Sequence, residues 1–234
     1  MKAWNLISLT EARGLAVEAL AAAPRQTEQV GLRQALGRIA ACDMVNAEDN
    51  PAFDRSTVDG YAVRSQDLAA ASAVTPVSLR LVGEVRMGRG YDGKISTGEA
   101  VRIPTGGMLP DGADAVLMQE YPAVGVAETV LAGRSVARRE NMVVRGDDVT
   151  AATVVLAAGS KIGVPDLGVL ASCGFARVPV IKKPVVTVVT TGDEIIPPEA
   201  TPLPGQIRDV NSSTLAALAE LAGCEVIQAE RVAD

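Results

Sequence analysis

The chain has 234 residues, 48% hydrophobic and 21% charged, which is more than one ordinary domain and excludes disorder, a collagen-like fibre and a disulfide scaffold. Lys+Arg 22 against Asp+Glu 28 gives a net charge of −6, so the basic footprint of a general nucleic-acid or anionic-membrane binder is missing. Histidine is absent, which removes Ser-His-Asp and Cys-His catalysis and leaves carboxylates, hydroxyls, Lys and Arg for any chemistry.

At the N-terminus Ser8 and Glu11 read as a capping box. Leu9, Ala12, Leu15, Ala16, Ala19, Leu20 and Ala23 then recur at helical spacing until Pro24. This stretch superficially resembles a secretory signal, but Glu11, Arg13 and Glu18 interrupt its apolar run. A shorter helix is expected from Gly31 to Ala41, with Leu32, Ala35, Leu36 and Ile39 on one face. From Asn46 onward β-type runs appear at Tyr61–Arg64, Val77–Val85, Ala100–Ile103, Ala115–Gln119 and Val124–Leu131. Asp59-Gly60, Asp92-Gly93, Asp111-Gly112 and Ala132-Gly133 punctuate them as turns. A helix is expected from about Pro165 to the residue before Gly174, and Lys182-Lys183-Pro184 reads as a joint. Val185–Thr191 has no alternation, as in a strand buried on both faces of a parallel sheet. A helix from Ser212 to Ala222, capped by Asn211 and stopped by Gly223, and a strand at Glu225–Gln228 complete a βαβ unit.

The fold expected is a mixed α/β multi-domain chain. It combines N-terminal helices, a small β-rich (barrel- or sandwich-like) domain, and the start of a parallel α/β sheet domain. The boundaries fall at 1–45 plus 146–181 for a helical and mixed region, 46–145 for the β-rich domain, and 182–234 for the βαβ. Cys42, Cys173 and Cys224 form no CxxC pair and read as buried, reduced thiols in a cytoplasmic protein. No apolar run approaches the ~20 residues that span a bilayer.

Five stretches invite a chemical reading. Gly88, Gly90 and Gly93 fit G-x-G-x-x-G, but with a turn at Tyr91-Asp92-Gly93 and no helix after them they read as a glycine-rich loop. Pro51 to Val63 sets polar residues among the chain's scarce aromatics, and Arg102 to Gly107 runs a strand into a Gly turn. From spacing alone both read first as local turns. Thr190-Thr191-Gly192-Asp193-Glu194 closes an expected buried strand, the place where open α/β sheets bind ligands. Its adjacent carboxylates suit Mg²⁺ or are simply a solvated acidic loop. Asp147-Asp148 after Arg145-Gly146 is a weaker acidic pair, readable as a turn.

Together these segments resemble one family. Phe53-Asp54-Arg55-Ser56-Thr57-Val58-Asp59-Gly60-Tyr61-Ala62-Val63 is similar to its FDxSxxDGYAV signature, and Arg102 to Val116 to its RIxTGxxxPxGADAV signature. Arg145-Gly146-Asp147-Asp148 resembles its RGED, with Asp147 in place of Glu. Thr191-Gly192-Asp193-Glu194 and Gly205 to Ser212 resemble its TGDE and GQIxDxN elements. The family is the molybdopterin molybdenumtransferases, the MoeA and gephyrin E-domain group, and the likeness covers its N-terminal part. The resemblance implies molybdenum cofactor synthesis, with molybdate inserted into adenylylated molybdopterin and AMP released with Mg²⁺. It also implies an elongated homodimer whose cleft lies between the α/β domain of one subunit and the β-domain of the other. A molybdopterin-adenylylating protein and molybdoenzyme maturation proteins are the implied partners.

By position in the family's motifs the catalytic residues fall on Asp59, Thr105, Asp148 and Glu194. Cofactor binding falls on Thr191, Gly192 and Asp193, and the metal on Glu194 and Asp234. The family's Gly/Ser-rich and Pro-Gly segments that grip pterin and molybdate lie beyond this sequence, so the chain alone is expected to be inactive. The alternative is a non-catalytic dimerisation or docking module on the same fold.

Overall fold

A computed structural model describes residues 7–21, 24–124, 128–228 and 232. In chain order its first elements are α1 (Leu9–Ala21), β1 (Thr27–Gly31), β2 (Met44–Val45), β3 (Arg55–Ser56) and β4 (Gly60–Val63). There follow β5 (Val77–Glu84), β6 (Glu99–Ile103), β7 (Ala115–Met118), β8 (Pro122–Val124), β9 (Thr129–Ala132), β10 (Met142–Val143) and β11 (Val154–Leu156). The last are α2 (Val164–Ser172), β12 (Arg177–Ile181), β13 (Val185–Val188), β14 (Ile195–Ile196), β15 (Ile207–Arg208), α3 (Asn211–Leu221) and β16 (Glu225–Gln228). Two compact units result, one of Met1–Met44 with Leu156–Asp234, the other of Val45–Val155.

The Val45–Val155 unit is built on a six-stranded sheet in the order β7-β4-β6-β5-β9-β8. Only the β5–β6 pairing is parallel within it. Side chains alternate across a strand, so consecutive residues feed opposite faces. Tyr61, Val63, Ala115 and Leu117 join Leu68, Leu79 and Val130 in one core, while Ala62, Val116, Val101 and Ile103 join Val85, Ile95 and Leu109 in another. Apolar residues therefore cover both faces, and every residue of β4 is buried. The run expected at Val124–Leu131 is two strands, β8 and β9, paired antiparallel.

In the other unit β1 pairs antiparallel with β12, Thr27 opposite Ile181 and Gly31 opposite Arg177. Arg38 ties this pair by bonding Glu28 at 2.5 Å and the Ile181 carbonyl at 2.9 Å. That pairing corrects the helix expected over 31–41. Gly31 is extended, only Leu32–Ala35 turns as a 3-10 helix, and Gly37 at φ +75° ends the run.

Ser8 Oγ accepts the Glu11 amide at 3.2 Å and starts α1, which buries none of its residues. β13 and β16 pair parallel, Val185 opposite Glu225, with α3 between them in sequence. Burial on both faces of this strand does not hold, because Val185 is 57% and Val189 51% exposed. The α3 cap is also not Asn211. Asp209 accepts the Ser212 amide at 2.9 Å and its hydroxyl at 2.5 Å. Finally, the thiols are free but not buried, Cys42 being exposed and Cys173 and Cys224 half-buried.

Candidate functional site

In the sheet unit the site is organised by the short strand β3. Along one edge the Ser56 amide donates to the Gly107 carbonyl (3.0 Å) and the Ser56 carbonyl accepts from the Gly106 amide (2.8 Å). Along the other edge Ser56 faces Met142 and Arg55 faces Val143. The Ser56 hydroxyl is buried and donates to the Val58 carbonyl at 2.5 Å, which turns the chain toward Asp59. The loop that carries Thr105 and the segment leading to Asp148 thus flank one strand.

Asp59 ends that turn. Its Oδ1 accepts both the Thr105 amide (2.7 Å) and the Thr105 hydroxyl (2.9 Å), while its carbonyl accepts the Gln119 amide (3.0 Å). The amide bond, and then the hydroxyl bond, favour the charged form and hold the Asp59 carboxyl below the usual carboxylate range. Oδ2 accepts no hydrogen bond among the described residues, so a fixed carboxylate presents one open oxygen. Gly60 follows because nothing larger fits, since a Cβ there would lie 2.1 Å from the Leu117 carbonyl oxygen.

Asp59 lies in a cleft of about 180 Å³ shared with Tyr61, Glu84, Arg102, Pro104 and Gln119. The Arg102 guanidinium carbon is 5.7 Å from the Tyr61 ring centroid, a cation–π distance. Sequence reading singled out none of Tyr61, Glu84, Arg102 and Gln119 as site residues. The available signal was Arg102 itself, a charge between the buried Val101 and Ile103.

The 145–148 segment is held by two backbone amides and the Arg145 side chain. The Arg145 amide donates to Asp54 Oδ1 at 2.7 Å, its Nε to Asp49 Oδ2 at 2.8 Å, and the Asp148 amide to the Asn50 carbonyl at 3.0 Å. The Asp148 carboxylate is 3.8 Å from Arg55 Nη2, and both side chains are about half exposed. No hydrogen bond joins Asp148 to Asp59 or Thr105 among the described residues.

Thr191, Gly192, Asp193 and Glu194 belong to the other unit. The Ile195 amide returns to the Gly192 carbonyl at 3.2 Å, so Asp193 and Glu194 form the exposed middle of a turn. Gly192 sits at φ +131°, a conformation that L side chains rarely adopt. The Glu194 carbonyl accepts the Ile207 amide at 2.8 Å where β14 meets β15 in parallel.

Near the carboxyl end of β13, Thr190 donates to Asp209 at 3.2 Å and Ser212 caps onto the same carboxylate. The Ser212 hydroxyl, then its amide, hold the Asp209 carboxyl below its usual range. Sequence reading placed Asp209 within a motif without a role, although Asp209-x-x-Ser212 is a readable cap. Asp234 lies outside the described residues. No group of three or more Asp, Glu or Cys positioned to hold a metal occurs among the described residues.

The fold and the motifs define one class, and comparison with known proteins specifies it. The model of the MoeA N-terminal region (domain I and II) matches residues 7–174. A Staphylococcus aureus molybdopterin molybdenumtransferase is 37% identical over 197 residues, covering 84% of this chain and 47% of that protein. A Staphylococcus epidermidis protein of the same name is 34% identical over the same shares. The crystal structure of a molybdopterin biosynthesis MoeA protein from Pyrococcus horikosii superposes with a TM-score of 0.85 at 35% identity, covering 94% of this chain and 57% of that one. The chain belongs to the MoeA family, in its N-terminal region. It spans about half the length of the curated relatives it matches.

Proposed function

We propose that this chain contributes to molybdenum cofactor biosynthesis as the N-terminal part of a molybdopterin molybdenumtransferase. The reaction is insertion of molybdate into adenylylated molybdopterin with release of AMP. The observation that carries the reading is the Asp59–Thr105 pair, a carboxylate fixed by two donors with its second oxygen open beside a cleft. An ordinary turn aspartate needs neither the second donor nor the cleft.

Asp59, Thr105, Asp148 and Glu194 form the proposed catalytic set, and Thr191, Gly192 and Asp193 the proposed cofactor-binding turn. Asp59 orients a water or substrate hydroxyl through Oδ2, and Thr105 keeps that carboxylate charged and still. Two or more clustered carboxylates are not required of a Mg²⁺ site, because Mg²⁺ keeps several waters and takes one or two carboxylates plus phosphate oxygens. Glu194 is the described residue that would hold it, with Asp234 as its proposed companion. Bound Mg²⁺ would neutralise charge on the phosphoanhydride.

The proposed assembly is a homodimer with α1 at the contact, because Leu9 and Leu20 of that helix are 88% and 74% exposed. The adenylylating protein and molybdoenzyme maturation proteins are proposed partners. No helix among the described residues is long and apolar enough to cross a membrane, and a cytoplasmic location is part of the proposal. The 234-residue chain alone is proposed to be inactive.

A chimera tests this reading. Replacing the corresponding N-terminal part of a full-length relative with this chain should give an enzyme that inserts molybdate. Asp59→Asn in the chimera should lower insertion while the oligomeric state stays unchanged. A chimera that folds and stays inactive, or one indifferent to Asp59→Asn, would count against it.

A further inference from the structure

The cleft beside Asp59 holds a cation that the proposed chemistry does not use. Arg102 sits on β6 between Val101 and Ile103, both buried, so its backbone is fixed while its side chain is exposed. Its partner on β4 is Tyr61, which is 5% exposed and lies under the guanidinium at 5.7 Å. Its partner on β5 is Glu84, in the same cleft. No carboxylate comes within ion-pair distance of the guanidinium among the described residues, whereas Arg38, Arg80, Arg134 and Arg145 each have one within 2.8 Å.

We propose that Arg102 is the anion-binding residue of this cleft, taking a tetrahedral oxyanion that is either a phosphate group or molybdate. The carboxylates of Asp59 and Glu84 in the same cleft would repel such a ligand. Arg102 supplies the attraction. The guanidinium lies over the Tyr61 ring, and a guanidinium carries a fork of N–H donors that matches two oxygens of one oxyanion. Thr105 and Gln119 neighbour the same space, the first through its bond to Asp59 and the second in the cleft wall. The inference rests on the transferase reading for the identity of the ligand, but the binding itself is measured without turnover.

The test is an NMR titration of the ¹⁵N-labelled chain with sodium molybdate in one arm and AMP in the other. It follows the Arg102 Nε–H signal, assigned by its loss in Arg102→Met, together with the Thr105 and Gln119 amides. Saturable shifts of all three are expected in at least one arm, and the arm that saturates identifies the oxyanion. In Arg102→Met the shifts at Thr105 and Gln119 should weaken by roughly tenfold in affinity, with Arg102→Lys falling between. Arg86→Met, a nearby exposed arginine, should change neither arm. Unmoved Arg102 signals in both arms, or equal affinity in Arg102→Met, overturn the proposal. Shifts confined to the Gly192–Ile195 turn overturn it too while leaving the transferase reading standing. Saturation at Arg102 beside an inactive chimera would keep the anion site and remove that reading.

Discussion

Gly60→Ala is the sharpest structural perturbation near the site. A Cβ at this position would lie 2.1 Å from the Leu117 carbonyl oxygen, 3.0 Å from its carbon and 3.1 Å from Met118 Cα. Ordinary contacts are about 3.5–4.0 Å, so relief requires a shift of more than ~1 Å. Every opposing atom is backbone, so no side chain can rotate away. Nor can β4 retreat, because Gly60 faces Met118 on one side and Ile103 on the other. Overpacking costs ~1–3 kcal/mol when neighbours can adjust, and a backbone clash inside a sheet belongs at the upper end. At about 2–4 °C per kcal/mol for a chain of this size, Tm should fall by roughly 6–12 °C. Thermal unfolding followed by circular dichroism measures it, with amide exchange locating the loosening at β4 and β7. Gly168→Ala is the matched control. Nothing lies within 4 Å of its Cβ position in α2, so a gain of about 0.5–1 kcal/mol is expected. A Gly60→Ala protein melting within about 2 °C of its parent would refute the reasoning.

Three further outcomes are expected. The Asp59 carboxyl is depressed chiefly by the Thr105 amide bond. Its contribution to stability is therefore fully present above the ordinary carboxylate pKa and is lost as pH falls through the folded value. A carbon-detected NMR titration should give Asp59 a midpoint below that of a solvated aspartate, and Thr105→Val should raise it. A midpoint at or above the solvated value would contradict the bond geometry. Ser212→Ala removes the hydroxyl bonded to Asp209, so amide exchange in the first turn of α3 should accelerate several-fold, with β4 unchanged. Gly192→Ala places a side chain at φ +131° and should perturb Glu194 without altering exchange in the Val45–Val155 unit, where any slowing or speeding would point to a wider role.

How far the sequence reaches depends on whether the deciding contact is local. β16 was legible residue for residue and β6, α2 and β5 to within a residue or two, because alternation, Pro165 and Gly174 are local signals. The 31–41 segment was not, because Gly31 pairs with Arg177 far along the chain and that pairing overrides an apolar helical spacing. The strand read over Val185–Thr191 is present as Val185–Val188, but its burial depends on what lies beside it, which residue types do not state. Of the site, the motif positions Asp59, Thr105, Asp148 and Glu194 came from family resemblance. The bonds from Thr105 to a single oxygen of Asp59 did not, since they need the turn that Ser56 builds. Arg102 escaped notice because an exposed charge in an alternating strand reads as a solvated one. Only the fold sets it over Tyr61 and beside Asp59.

The central claim is that these carboxylates serve a metal-assisted transferase and not a docking module. The most direct measurement is binding of adenylylated molybdopterin to this chain, with and without Mg²⁺, by titration calorimetry. The account predicts binding that strengthens with Mg²⁺ and weakens in Asp59→Asn. Binding indifferent to both the metal and Asp59, or a chain that binds a partner protein and shows no metal-dependent signal, would contradict it.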